Sequence, residues 1–249
     1  MRTFRLSAAF LVVIASLGVT QARADWSCKT ENQAKHGLDA PIRPNLYNID
    51  QLKALLRDYR YCGGYDQDLA KVLGEAKAYV EQHAHDYPNP AIVLDIDETS
   101  LSNWPRIDAD DFGFVPGGSC TLDSGEPCGD MAWELSGLPQ AIKPTLELFK
   151  AAKDAKVAVF FVTGRRDRRD LRKATIENLR DEGYDGYDGL YMRPISDVGD
   201  VKTYKTDRRR EIQRNFRIIA NIGDQKSDLD DGKEADKTFL VPNPFYFLP

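Results

Sequence analysis

The sequence predicts an α/β fold with a parallel sheet and crossover helices, and three observations carry that reading. From residue 91 onward, short apolar runs rich in β-branched residues alternate with amphipathic stretches. Such alternation is the mark of parallel strands joined by helices. The runs are continuously apolar, which suits buried strands. Three of them end abruptly in polar groups, and in a parallel sheet that end of the strands is where ligands bind.

The elements follow in order. Residues 25–47 are irregular, broken by Pro41 and Pro44. Asn48 or Asp50 can cap a helix over 51–59, which Cys62-Gly63-Gly64 ends. Asp66 starts a second helix running to about His83, with Leu69, Val72, Leu73, Ala76, Tyr79 and Val80 on one stripe. Pro88 and Pro90 break the chain before the first core strand, 91–94. A long stretch without clear periodicity follows, up to Leu138. A loop of that length in a compact domain is functional or disordered, and the two cysteines within it favour order. Lys143-Pro144 opens a helix to about Asp154. Strands are expected at 157–162, 189–192, 216–222 and 238–241, with helices over 168–182 and 202–215. Gly183, Gly186 and Gly189 form a loop, because no strand leads into them and no helix follows.

Residues 1–24 read as a secretory signal peptide. A basic start (Arg2, Arg5) precedes an apolar stretch from Leu6 to Val19 and an Ala22-Arg23-Ala24 cleavage signal. Cleavage after Ala24 leaves 225 of 249 residues. It removes three arginines and no acid, taking the formal net charge from −5 to −8. A protein this acidic is a poor partner for nucleic-acid polymers or anionic membranes, and no other apolar run is long enough to span a bilayer. The expected location is the periplasm or the medium.

Four cysteines in an exported chain suggest disulfides, with three connectivities available. Cys120 and Cys128 bracket a turn-rich loop and pair most economically with each other, which leaves Cys28 with Cys62. A zinc site has little support: there is no CxxC and no histidine near a cysteine.

Three strand ends carry the chemistry: Asp95 and Asp97, then Thr163, then Asp224 with Asp228. Asp95 and Asp97 are two apart, so on a persisting strand both carboxylates point one way. Lys205 lies near the start of the helix before the last of these strands. Carboxylates, a hydroxyl and an ammonium, with no cysteine or histidine, suit magnesium-assisted phosphoryl transfer. The charge runs Arg165–Asp170 and Arg208–Arg210 read as solvated helix faces, with Arg165 nearest the site. Trp104 either stacks on a substrate ring or fills the lid, and packing is favoured.

Asp95-x-Asp97-x-Thr99, Thr163, Lys205 and Gly223-Asp224-x-x-x-Asp228 resemble, in order, the four motifs of the haloacid dehalogenase (HAD) superfamily. The text around them, Asp95-Ile-Asp-Glu-Thr-Ser-Leu-Ser-Asn103, Phe161-Val-Thr-Gly-Arg165, Tyr204-Lys-Thr206 and Ile222-Gly-Asp-Gln225, is similar to the subfamily IIIB acid phosphatases. That group includes plant vegetative-storage-protein-like members and exported bacterial ones. The resemblance covers about Tyr79 to Leu240. It implies a Rossmann-like HAD core over 91–249, with a small disulfide-bearing cap inserted at about 101–140 and a helical segment, 25–90, packed on the core.

The resemblance also implies roles. Asp95 is the expected nucleophile, forming an aspartyl-phosphate. Asp97 is the expected acid/base, an assignment that predicts an acidic optimum. Mg²⁺ is expected on Asp95, the Asp97 carbonyl and Asp224. Thr163 and Lys205 are expected to hold the phosphoryl group. Apart from the motif roles, Gly164 and Arg165, and Trp104 where it stacks on substrate instead of packing, are the further candidate substrate contacts. Asp228 is expected to orient Lys205 or metal-bound water. Glu98 has no motif role and reads as a structural hydrogen-bonder near the lid. The implied substrate is a small nucleotide, sugar or aryl phosphate. A phosphotransferase on the same residues, or a storage or binding protein on the same fold, are the competing readings. A homodimer is one open assembly state.

Overall fold

The structure, a computed structural model, describes residues 47–229 and 234–248. The expected signal peptide lies outside them, as does Cys28 and with it the expected Cys28–Cys62 pair.

Two helices come first. α1 (Ile49–Tyr61) is capped by the Asn48 side chain, which accepts from the Asp50 and Gln51 amides. Gly63 then turns the chain with φ of 80°, a left-handed conformation that glycine adopts without strain. α2 (Gly64–His83) buries Tyr65, Leu69, Leu73, Ala76 and Val80 along one stripe.

A five-stranded parallel sheet follows, from β1 (Pro90–Leu94), β4 (Ala158–Arg166), β5 (Gly189–Arg193), β6 (Arg217–Gly223) and β7 (Lys237–Leu240). Their spatial order is β5-β4-β1-β6-β7. Helices α5 (Lys143–Asp154), α6 (Arg169–Asp181), α7 (Val201–Ile212) and α8 (Lys226–Leu229) join them. β1 is buried throughout. Ile92 and Leu94 face the core shared with α2 and α5, while Ala91 and Val93 face the smaller core closed by Ile212 of α7. Continuous hydrophobicity in β1 follows from that double cover.

The connectivity reverses beside β1. The chain runs from β1 out to β4 and β5, then α7 carries it back to β6 on the other side. The carboxyl end of β1 is therefore a topological switch point, where doubly wound sheets open a crevice.

The stretch from 101 to 141, without period in the sequence, folds into short pieces. β2 (Leu101–Ser102) pairs antiparallel with β3 (Gln140–Ala141) as a two-stranded stem. Between them lie α3 (Trp104–Ala109), a 3₁₀ turn (Leu122–Ser124) and α4 (Asp130–Ser136). Cys120 and Cys128 are joined, Cα to Cα 4.0 Å, as expected. α4 packs on α6, so the insert sits above the switch point. Among the described residues no helix is long and apolar enough to cross a membrane.

Candidate active site

The Asp95 amide continues the β1–β6 ladder, donating to the Ile222 carbonyl at 3.0 Å. The chain then turns sharply: the amides of Thr99, Ser100 and Leu101 all donate to the Ile96 carbonyl, and Glu98 is forced to φ of 53°. That turn sets Asp95 and Asp97 in the wall of one cleft of about 560 Å³, a size that suits a small-molecule ligand.

Asp95 Oδ1 accepts from Lys205 Nζ at 2.6 Å, and Lys205 also bonds Asp228. Asp228 is held in turn by the Gln225 amide at 2.8 Å. Gly223 lets α8 fold back this closely: a Cβ there would stand 2.2 Å from the Asp228 Cβ. Asp224 accepts from Thr99 Oγ1 (3.0 Å), Gln225 Nε2 (2.6 Å) and Asn243 Nδ2 (2.8 Å). Burial, then the facing Asp228, raise Asp95 well above the usual carboxylate range and Asp224 to about 6.

Arg165 sits in a bulge of β4. Thr163 pairs with Met192 and Arg166 with Arg193, leaving Gly164 and Arg165 as extra residues. Bulges re-aim side chains, and this one turns the Arg165 guanidinium onto Asp97, with Nη2 at 2.7 Å and Nε at 3.1 Å from both oxygens. Burial opposes ionisation of Asp97, but Arg165 and the Asn103 amide outweigh it and hold that carboxyl below its ordinary range.

The structure brings Asp95, Asp97, Gly164, Arg165, Lys205 and Asp224 into one cleft wall. Two expectations change, and a third is narrowed. Trp104 does not reach that cleft. Its buried indole packs against Tyr61, Phe112 and Phe245, which is the packing arrangement favoured above, and lines no part of the cleft. Thr163 is fully buried and its Oγ1 accepts the Arg165 amide, so Gly164 and Arg165 form the wall there. Nor is either charge run simply a solvated face: Arg165 and Arg209 are buried, and Arg209 reaches the Asp228 carbonyl at 2.5 Å.

Other residues carried no expectation. Asn243 and Tyr246, from the segment after β7, reach Asp224 and Glu98. Glu134 of α4 lies 3.7 Å from Arg165, and burial raises it to about 8. Glu98 is a buried hydrogen-bonder as expected, raised to about 7 by burial and then by Asp97.

Carboxylate oxygens of Asp95, Asp224 and Asp228 lie within 4.8 Å of one another. An all-oxygen, buried, anionic donor set of this kind fits a hard divalent cation. Asp228, expected only to orient neighbours, thus also brings its carboxylate to the cluster.

A doubly wound sheet with an aspartate pair at its switch point, a lysine bound to the first aspartate and an oxygen cluster alongside belongs to the class of phosphate-ester-handling α/β enzymes. The sequence profile of the HAD superfamily, subfamily IIIB (acid phosphatase), matches residues 42–249, a wider span than the motifs suggested. Acid phosphatase 1 of Solanum lycopersicum is 30% identical over 196 residues, covering 78% of this chain and 73% of that one. Vegetative storage protein 1 of Arabidopsis thaliana is 28% identical over 217 residues, 82% of this chain and 75% of that one. Among solved structures, the class C acid phosphatase from Bacillus anthracis superposes with a TM-score of 0.62 at 20% identity, covering 80% of this chain and 86% of that one. The chain belongs to HAD subfamily IIIB, the acid phosphatase family, and is a phosphomonoesterase.

Proposed function

We propose that the protein is an exported, Mg²⁺-dependent acid phosphatase that hydrolyses small phosphomonoesters through an aspartyl-phosphate on Asp95. The observation that carries this is the pairing of a lysine-bound Asp95 with a separately held Asp97 in one cleft.

Asp95 attacks phosphorus. Asp97, whose ionised form Arg165 and Asn103 favour in the free site, must first take up a proton, and then gives it to the leaving oxygen. Asp97 then takes a proton from the water that opens the acyl-phosphate. Lys205 keeps positive charge beside Asp95 throughout. Gly164 and Arg165 face the transferred group from the β4 bulge. Asp95, Asp224 and Asp228, with the Asp97 carbonyl, would hold Mg²⁺, whose charge would offset that of the carboxylates and the phosphate. The aliphatic and aromatic walls, including Phe112, Phe114 and Met131, receive the rest of the ester.

Hydrolysis of 4-nitrophenyl phosphate is expected with Mg²⁺ and expected to fall at least about a hundredfold in EDTA, recovering when Mg²⁺ is restored. Turnover indifferent to EDTA would sink the metal assignment. Export has support in the Cys120–Cys128 disulfide, which persists in oxidising compartments. N-terminal sequencing of the secreted or periplasmic form should begin at Asp25. Recovery of the full chain in the cytoplasm would remove this part of the reading.

A further inference from the structure

We propose that Asn103 is a positioning residue for Asp97, and that Trp133, from the inserted segment, sets the direction in which the Asn103 amide works. The inference rests on the assignment of proton transfer to Asp97. It adds two residues to which the motifs give no role.

Besides its carbonyl, which accepts from the Ile107 amide, Asn103 makes four hydrogen bonds to three side chains, two of them to the Glu98 carboxylate. Its Nδ2 donates to Asp97 Oδ1 at 3.0 Å and to Glu98 Oε2 at 2.9 Å. Its backbone amide donates to Glu98 Oε1 at 2.5 Å. Its Oδ1 accepts from Trp133 Nε1 at 2.8 Å. Asn103, Glu98 and Trp133 are buried, at 4%, 1% and 1% exposure.

The orientation of this amide follows from its partners. An indole N–H can only donate, and ionised carboxylates can only accept. A flipped amide would aim its oxygen at two carboxylates and its N–H₂ at another N–H, losing three bonds at a buried site. Trp133 therefore fixes Nδ2 towards Asp97. Tyr246 closes the far side, its hydroxyl donating to Glu98 Oε2 at 2.7 Å, so Glu98 cannot swing away and release Asn103.

The consequence falls on one oxygen of Asp97. Oδ1 receives Asn103 Nδ2 and Arg165 Nη2 and Nε, whereas Oδ2 receives Arg165 Nε alone. Two side chains thus pin Oδ1, and Oδ2 is the oxygen left to carry the proton. In the step proposed here, the P–O ester bond breaks as the Asp95–phosphorus bond forms, and the leaving oxygen takes the proton from Asp97 Oδ2. Precise placement of a proton donor matters most when the leaving group is basic and needs the proton.

The test uses two aryl phosphates of similar shape, phenyl phosphate and 2,4-dinitrophenyl phosphate. The first leaves as a basic phenolate, the second as a weakly basic one that departs without help. kcat/KM reports only the steps through transfer to Asp95, so the later role of Asp97 as base does not enter. Trp133→Phe removes the indole N–H, at the cost of a small void where the larger ring stood, and Asn103→Leu removes the amide itself. Both are expected to lower kcat/KM for phenyl phosphate about tenfold to a hundredfold, and that for the dinitrophenyl ester less than about threefold. Asp97→Asn should show the same selectivity, more strongly. Equal losses on both esters in whichever of the two variants folds, or no loss in Asn103→Leu, would overturn the positioning role while leaving Asp97 in place. An unselective Asp97→Asn would overturn the underlying assignment and this inference with it.

Discussion

Asp95→Asn should abolish phosphomonoester hydrolysis, lowering kcat by at least about three orders of magnitude, while leaving the protein as stable as before or more so. The two effects have opposite signs for one physical reason. Asp95 is buried at 5% exposure and stands near Asp228 and Asp224. Burial and these neighbours push its carboxyl well above the ordinary range, so its charged form is held against a repulsive field that Lys205 only partly offsets. An amide keeps the shape and can still accept from Lys205 Nζ, but it carries no charge and cannot attack phosphorus. Nucleophilicity is lost and repulsion is relieved together, as expected where a site sacrifices stability for function. Turnover of 4-nitrophenyl phosphate and the thermal midpoint, measured without metal, check both halves. Residual activity within tenfold of the parent would remove Asp95 as the nucleophile. A midpoint lowered by more than about 5 °C, near 2 kcal/mol for a chain of this size, would show that the carboxylate supports the fold.

The sheet was legible because its signals are local. β1 reads as an apolar run bounded by Pro90 and Asp95, and strands and helices fall within three residues of where pattern and punctuation place them, except that β4 runs four residues further, to Arg166. The Asn48 cap is visible for the same reason. The insert was not legible. α3 and α4 span 6 and 7 residues, too short for a helical period to emerge, and their positions depend on the β2–β3 stem and the disulfide.

The site divides in a similar way. Asp95, Asp97, Lys205 and Asp224 are marked by strand ends and motif spacing. What each one touches is set by tertiary contacts. Arg165 lies in a run of six charged residues that looks solvated, yet the β4 bulge buries it on Asp97. Asn243 and Tyr246 sit in a C-terminal segment with no periodicity, reaching the site from beyond β7. Arg209 did carry an unused signal. It is four residues after Lys205 on α7, and residues four apart share a helix face, so a buried Lys205 points to a buried Arg209.

Lys205→Met tests the electrostatic frame of the whole site. Lys205 is 5% exposed and bridges Asp95 and Asp228, and its own charged form is stabilised against burial by those two partners. A methionine side chain fills similar space but leaves the two carboxylates facing each other without compensation. Removing one member of a buried ion cluster costs about 3–5 kcal/mol, which at this chain length corresponds to a midpoint lowered by roughly 10 °C. Hydrolysis should fall at least about a hundredfold, since positive charge beside the attacked phosphate is lost as well. Stability and activity can then be separated by a second substitution. Lys205→Met with Asp228→Asn removes one of the two uncompensated charges, so the double variant should regain at least half of the lost stability and none of the activity. That non-additivity is the signature of directly coupled residues. Two results would count against this account: a single variant melting within about 2 °C of the parent, or a double variant less stable than Lys205→Met alone. Either would mean that water or a rearranged α8 compensates the carboxylates, and that Lys205 serves the substrate phosphate more than the fold.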